Sequence, residues 1–351
     1  MLVRPIGMFR FLRKFTLMII CITMIFLITA CTNKGEKIVD KTKDEPKETQ
    51  KSYVNAVFER NNNIYFYDEK MGSLYPIGDT TKFKELTMLS PDKKRVAFKY
   101  FYEEELDQTE IFIYNLESKE YNKIAVDDEL ENIISLTWIN NERLLVSAAI
   151  NPSVLKYGIY DINSNKQVNS IKGLLMEVFE DGNILLYSKT SRSDEKENST
   201  LYLGDKLIYQ LDNSIEEIHF ATISSDKRNI AFSTFSYDAD KGEVVEFLYN
   251  GKFDFATSTI SDISKITIPS NISGAIFYDK SNDLFIKGEE SNYRVEGSFF
   301  TLIDTAQEVE SIPTEEQLIK FKQVLKKTFV DEFIEDYLQL DELEIYNIQW
   351  F

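Results

Sequence analysis

Leu89-Ser90-Pro91-Asp92-Lys93-Lys94-Arg95-Val96-Ala97-Phe98 returns 134 residues later as Ile223-Ser224-Ser225-Asp226-Lys227-Arg228-Asn229-Ile230-Ala231-Phe232. In both, turn-forming polar residues separate stretches rich in β-branched and aromatic side chains, the pattern of two antiparallel strands joined by a tight turn. Looser copies run through LTWINNERLLVS with Trp138, EVFEDGNILLYS with Asp181 and Gly182, and AIFYDKSNDLFI from Ala275. A unit that recurs this often decides the architecture before any single element does.

Between these copies lies a second hairpin type, an alternating apolar stretch ending in Tyr and Asp or Asn, then a polar turn and an apolar return. It runs from Ile64 to Ile77, from Ile111 to Ile124 and from Tyr157 to Ile171, with Asp68, Asn115 and Asp161 spaced 47 and 46 residues apart. Weaker copies begin at Leu201, at Phe247 and, as FFTLIDTAQEVESI, at Phe299. Two hairpin types alternating at about 45 residues predict four-stranded blades around an axis, an all-β propeller over residues 52–313. A β-sandwich or a run of unrelated hairpins is the alternative. Five interior hairpin pairs and an opening hairpin at 53–77 make six blades of four antiparallel strands if another segment completes the first. The Ser-Pro-Asp turn followed by Val-Ala-Phe resembles the blade turn of TolB-like and related WD40-like propellers. Lys93 and Lys227 stand where that family carries glycine.

Beyond Pro313, Thr314 and Gln317 have the spacing of a capping box. Leu318, Phe321, Leu325, Phe329, Phe333 and Tyr337 then recur every three or four residues, predicting an amphipathic helix over 314–341 packed on its own domain. The tail at 342–351 reads as a strand that closes the ring by pairing with the opening hairpin, leaving no free inner edge. The segment at 188–199 (SKTSRSDEKENS) reads as a polar loop.

The N-terminus is organised differently. Arg4, Arg10, Arg13 and Lys14 precede an apolar run from Phe15 to Leu27, a basic region feeding a hydrophobic one, shorter than the ~20 residues of a spanning helix. Ile28-Thr29-Ala30-Cys31 resembles the lipobox of bacterial lipoproteins, and the lysine-, isoleucine- and asparagine-rich composition is compatible with a low-GC Gram-positive, Bacillus-type source. The resemblance implies a signal peptide at 1–30, cleavage between Ala30 and Cys31, and an S-diacylglycerol and N-acyl (palmitate-type) group on Cys31. The lipid would hold the chain on the extracytoplasmic face of the cell membrane. Residues 31–51 alternate lysines with acids and hold almost nothing apolar, the composition of a flexible linker. Removing residues 1–30 deletes four bases and no acid, which moves the formal net charge from -18 to -22. A body this acidic argues against nucleic acid as a partner.

Catalytic constellations are sparse. Cys21 lies in the leader, so a mature chain keeps one thiol, Cys31, and has no disulfide. The single histidine, His219, reads as a structural strand residue without the second histidine a zinc site needs. No G-x-S-x-G, G-x-x-x-x-G-K or G-x-G-x-x-G occurs. Carboxylate runs at Glu103-Glu104-Glu105 and Asp127-Asp128-Glu129, and the stretch from Tyr237 to Glu243, read as solvated loops, with no catalytic residue, metal or cofactor assigned. The expectation is a non-catalytic, lipid-anchored propeller that binds a protein, peptide or cell-envelope ligand. The alternative is a propeller hydrolase, a lactonase or glycosidase, working through channel-facing carboxylates and a divalent cation. Cys31→Ser should release the protein from the membrane or leave an uncleaved leader, and loss of metabolic fatty-acid labelling is the check.

Overall fold

The computed structural model describes residues 53–101, 110–127, 130, 132–151, 154–189, 199–212, 215–238, 242–288, 291–303, 313–329 and 345–351. Cys31, Ala30, the linker, Glu103-Glu104-Glu105, Asp128, Glu129, Phe333 and Tyr337 lie outside them. Strands β1 (Ala56–Arg60), β2 (Asn63–Asp68) and β3 (Ser73–Pro76) belong to blade 1. Blade 2 contains β4 (Phe83–Leu89), β5 (Arg95–Phe101), β6 (Glu110–Asn115) and β7 (Tyr121–Ile124). Blade 3 is β8 (Ile133–Trp138), β9 (Arg143–Asn151), β10 (Val154–Asp161) and β11 (Lys166–Lys172). Blade 4 is β12 (Leu174–Phe179), β13 (Ile184–Lys189), β14 (Thr200–Leu203) and β15 (Lys206–Gln210). Blade 5 is β16 (Glu216–Ile223), β17 (Asn229–Asp238), β18 (Glu243–Asp254) and β19 (Thr259–Ile268). Blade 6 is β20 (Ala275–Tyr278), β21 (Leu284–Lys287), β22 (Asn292–Glu296) and β23 (Phe299–Ile303). Helix α1 (Glu315–Thr328) and β24 (Ile345–Trp350) follow.

Each sheet has four antiparallel strands, and the six together make an all-β, six-bladed propeller. Alternation along the strands supplies both faces of every blade. Val96 and Phe98 join a cluster with Val57 and Ile64 of blade 1, while Ala97 between them joins Leu136, Trp138 and Val146 of blade 3. Similar clusters link blades 3 and 4 through Tyr157, Ile159 and Leu185, blades 4 and 5 through Leu201, Ile218 and Phe232, and blades 5 and 6 through Leu248, Ile276 and Ile286.

Blade 1 is built from both ends of the chain. Its order is β24-β1-β2-β3, with β24 antiparallel to β1 and in the innermost position that β4, β8, β12, β16 and β20 take elsewhere. Asn55 and Phe351 exchange backbone hydrogen bonds of 2.6 and 2.9 Å, standing in for a covalent turn. The second face of blade 1, with Ala56, Phe58 and Tyr67, is covered by α1. Phe321 is fully buried there and meets Phe58, Tyr67 and Trp350 edge-on at 5.4, 5.0 and 5.0 Å. The capping box forms: Thr314 Oγ1 accepts from the Gln317 amide, and Gln317 Oε1 accepts from the Thr314 amide.

Two expectations need correction. The copy expected from Phe299 begins one strand too late, because Glu296-Gly297-Ser298 forms the turn of the last hairpin and Gly297 supplies its positive φ of 63°. Phe299–Ile303 is therefore the outermost strand of blade 6, paired with Asn292–Glu296. Ser188 and Lys189 belong to β13 rather than to the polar loop, through ladder pairs with Leu201 and Thr200.

The twin turns are the same device. Ser90 and Ser224 each donate to the aspartate two residues on at 2.6 Å, and each accepts the amide five residues on, from Arg95 and Asn229, at 2.9 Å. Lys93 and Lys227 sit in the left-handed region at φ 62° and 60°, which explains glycine in the family pattern. The amides of Asp92 and Asp226 are held from the next blade by Asn141 and Asn282. The amides of Leu89 and Ile223 are held from the preceding blade by Gln349 and Glu177. Deleting Ile345–Phe351 removes the inner strand of blade 1 and the Gln349 clamp together. It should abolish the cooperative thermal transition followed by circular dichroism; an unchanged melting temperature would show that ring closure does not hold the fold.

Candidate functional site

Strand order gives the propeller two unlike faces. Turns after first and third strands are short and hydrogen-bonded, such as 90–94, 204–205, 224–228 and 297–298. Connections after second strands and between blades, such as 61–62, 77–82 and 269–274 among the described residues, share the opposite face. We refer to the turn face and the loop face. Long connections on a rigid scaffold are where binding residues concentrate.

The loop-face ends of the inner hairpins are held by buried charges. Lys84 is 1% exposed, and its Nζ donates to Asn63 Oδ1 at 3.0 Å, to Lys82 O at 3.3 Å and to Asp79 O. Desolvation pushes its pKa down to about 8 against the opposing pull of Asp79. Lys99 bridges Glu85 at 2.7 Å and the carbonyl of Ile133 in blade 3 at 3.4 Å. Glu216 accepts from Thr234 at 3.0 Å, from Tyr249 at 2.9 Å and from Lys265. Burial alone would raise its pKa, but bonds from Lys265, Tyr249 and Thr234 outweigh it and hold the carboxyl low.

Nearer the axis, five of the six inner strands carry a β-bulge. Register shifts fall at Leu86 and Thr87 of β4, Ile134 of β8, Met176 of β12 and His219 of β16, and in the pairing of β24 beside Asn347. A bulge re-aims a side chain and strengthens local twist, which suits the tightest part of a ring. His219 lies between the rings of Phe220 and Phe235, at 4.1 and 5.7 Å. Desolvation lowers its pKa while Glu217 works in the opposite direction. The histidine is thus a strand residue at a bulge, its ring packed against Phe220 and Phe235.

Among the described residues, several carboxylates are engaged with protein groups. Glu59 Oε1 accepts from the Thr87 amide at 2.6 Å and from Asn347 Nδ2 at 3.1 Å, and Glu177 accepts from the Ile223 amide at 3.0 Å. Asp127 lies 3.9 Å from Lys156. In the stretch from Tyr237 to Glu243, residues 239–241 lie outside the described residues, and Tyr237 and Glu243 fall on β17 and β18. Among the described residues, no group of three or more His, Cys, Asp or Glu side chains converges to hold a metal. A cavity of about 180 Å³ between blades 2 and 3, lined by Arg95, Asn115, Asn122 and Asn163, falls below the ~300 Å³ of small-ligand sites.

Lys84, Glu177 and Glu216 escaped the reading of the sequence. The signal was there, since Lys84 in FKELTML and Glu177 in LLMEVF are charges inside strands whose other residues pack, and such charges need partners.

No family profile matches the sequence, and no curated protein matches it significantly. Among solved structures, the β-propeller domain of the trilobed protease from Pyrococcus furiosus is similar at 17% identity and a TM-score of 0.41, over 72% of this chain and 82% of that one. TolB from Acinetobacter baumannii aligns at 14% identity and 0.31, over 69% and 60% of the two chains. An acylaminoacyl peptidase from Pyrococcus horikoshii aligns at 17% and 0.34, over 73% and 51%, so this chain spans about half of that enzyme.

Glu177 gives the interface between blades 4 and 5 a pH dependence. Desolvation pushes its pKa up to about 7, against bonds from Ile223 and Thr222 that lower it. A folded-state value above the ordinary carboxyl range means that the folded chain binds the proton more tightly than the unfolded one. Stability is therefore highest below about pH 4.5 for this group and declines as pH rises towards 7. Glu177→Gln retains the acceptor and reproduces Gln349, whose Nε2 also donates to Thr87 O at 2.8 Å. The variant should flatten this segment of the profile and gain up to ~3 kcal/mol over the wild type at pH 8, measured by urea unfolding at pH 5, 7 and 8.

Proposed function

We propose that the chain is a membrane-anchored, extracytoplasmic lipoprotein whose propeller binds a protein, peptide or cell-envelope ligand on its loop face without catalysing a reaction. The observation that carries this reading is where the chain enters the ring. β1 runs from the turn face towards the loop face, and Asn55 just before it is paired with Phe351, so both ends of the propeller lie at the turn face. A flexible linker over 31–51 leading from a lipidated Cys31 then joins the turn face, and the loop face is left clear of the tether. Two or more acyl chains, each buried CH₂ contributing about 0.8 kcal/mol, suffice to hold a soluble domain at a membrane.

Binding is favoured over hydrolysis because Glu59, Glu177 and Glu216 all accept protein hydrogen bonds. A lactonase or glycosidase would need carboxylates converging on substrate or cation. A photo-crosslinking residue at Ile150, exposed at the loop-face end of β9, should capture a partner in intact cells. The same residue at Lys119, in the turn between β6 and β7, should capture none. Capture at Lys119 alone would reverse the choice of face, and capture at neither would remove the binding function.

A further inference from the structure

The middle strands of blade 5 outgrow their counterparts. β17 and β18 span 10 and 12 residues, against 4 and 5 for β21 and β22 of the adjoining blade 6. Register places Tyr237 opposite Val244, and below that pair Glu217, Phe235 and Glu246 form one row. Both rows fall on the side of the blade that packs, further down, against blade 6 through Leu248, Ile266 and Ile268. Among the described residues, the connection into blade 6 meets the lower row, where Ser273 Oγ donates to Glu246 Oε1 at 3.0 Å. Above it Tyr237 and Val244 are 61% and 57% exposed, two large apolar side chains side by side on the loop face.

We infer that this overhanging sheet face is a docking surface for a cationic segment of a partner protein, one that presents Lys or Arg beside apolar side chains. The inference rests on the binding reading above and names the chemistry of its partner. Charge selects the occupant. Glu217, Glu243 and Glu246 flank the apolar pair, and none of the strand residues in these rows is basic. The formal charge of the whole chain is -18, so an acidic partner or an anionic lipid surface is repelled while a basic segment is steered in. The rings of Phe235 and Tyr237 add π faces on which a guanidinium or ammonium can rest. Isolated exposed apolar residues are ordinary on any surface, whereas an aromatic and aliphatic pair fringed by one sign of charge matches the core and rim of an interface.

The test uses the full chain in detergent and a fluorescent ten-residue peptide of alternating Lys and Phe, titrated by anisotropy beside an alternating Glu and Phe peptide. The Lys/Phe peptide should bind the wild type and the Glu/Phe peptide should not. Tyr237→Ser combined with Glu243→Lys should weaken binding by about tenfold or more, whereas Glu120→Lys on the turn face, an equal change of charge, should leave it unaltered. Glu243→Lys alone, a change at an exposed strand end that leaves the core intact, should weaken it several-fold. Absence of binding to the wild type, or equal binding by the Tyr237→Ser/Glu243→Lys and Glu120→Lys variants, overturns the inference. A partner captured at Ile150 would then still support the loop-face reading, so the two failures are distinguishable.

Discussion

The ladder between β24 and β1 is the constraint on which the remainder of the molecule depends. Without β24, blade 1 would have three strands instead of four, and β1 would present a row of unpaired backbone donors and acceptors in its place. Here β1, the first of the described strands, is the second strand of blade 1, and β24 supplies the first. The pairing orders both termini at once, because Asn55 bonds to Phe351 and Gln349 reaches across to Leu89 in blade 2. It also explains the helix. Among the described residues no buried cluster joins blade 6 to blade 1, and the face of blade 1 turned from blade 2 is sealed by Phe321 and Leu325 of α1. Blade 1 is thus completed by a strand and covered by a helix, both drawn from the C-terminal segment.

Within the ring the same physical problem has been solved twice. Blades 2 and 5 are three apart in a ring of six, so they stand on opposite sides of the axis, and each carries the Ser-x-Asp turn gripped from both neighbours. The acceptor from the preceding blade is an amide in one case and a carboxyl in the other, Gln349 and Glu177. A buried carboxyl facing a backbone amide can accept as an anion, but desolvation disfavours that form and drives it towards carrying a proton. The glutamine position gains the same acceptor without the titration. Lys84 shows the complementary case, a cation surrounded by carbonyl oxygens whose pKa falls because the site is dry.

How much of this was legible followed from range. Turn chemistry and strand alternation are local, so the twin turns, the six-blade count and the capping box of α1 could all be read from neighbouring residues. The closing strand was legible by elimination, since one blade lacked a strand and one strand lacked a blade. Inter-blade grips were hidden because they join residues such as Glu177 and Ile223, which are 46 positions apart and carry no mark of their pairing. The last hairpin was misplaced for a simple reason: Asn292–Glu296 contains Arg294 and only five residues, a weak strand by composition that the ladder with Phe299–Ile303 nevertheless recruits.

The contrast between the two faces is what turns this fold into a functional argument. On the turn face, side chains are occupied in holding backbone: Ser90, Asp92, Ser224 and Asp226 close their own turns, while Asn141 and Asn282 lock them to the next blade. Asp226 is held below the ordinary carboxyl range first by the Ser224 hydroxyl, then by the Arg228 amide, so its charge serves the turn. A ligand arriving there would have to displace bonds that maintain the ring. On the loop face the holding groups Lys84 and Glu216 are buried beneath the rim, and what rises above them is Tyr237, Val244, Ile215 and Ile150, all exposed. Stability and recognition are therefore assigned to opposite ends of the same strands, which lets the loop-face residues vary without loosening the closure that β24 provides.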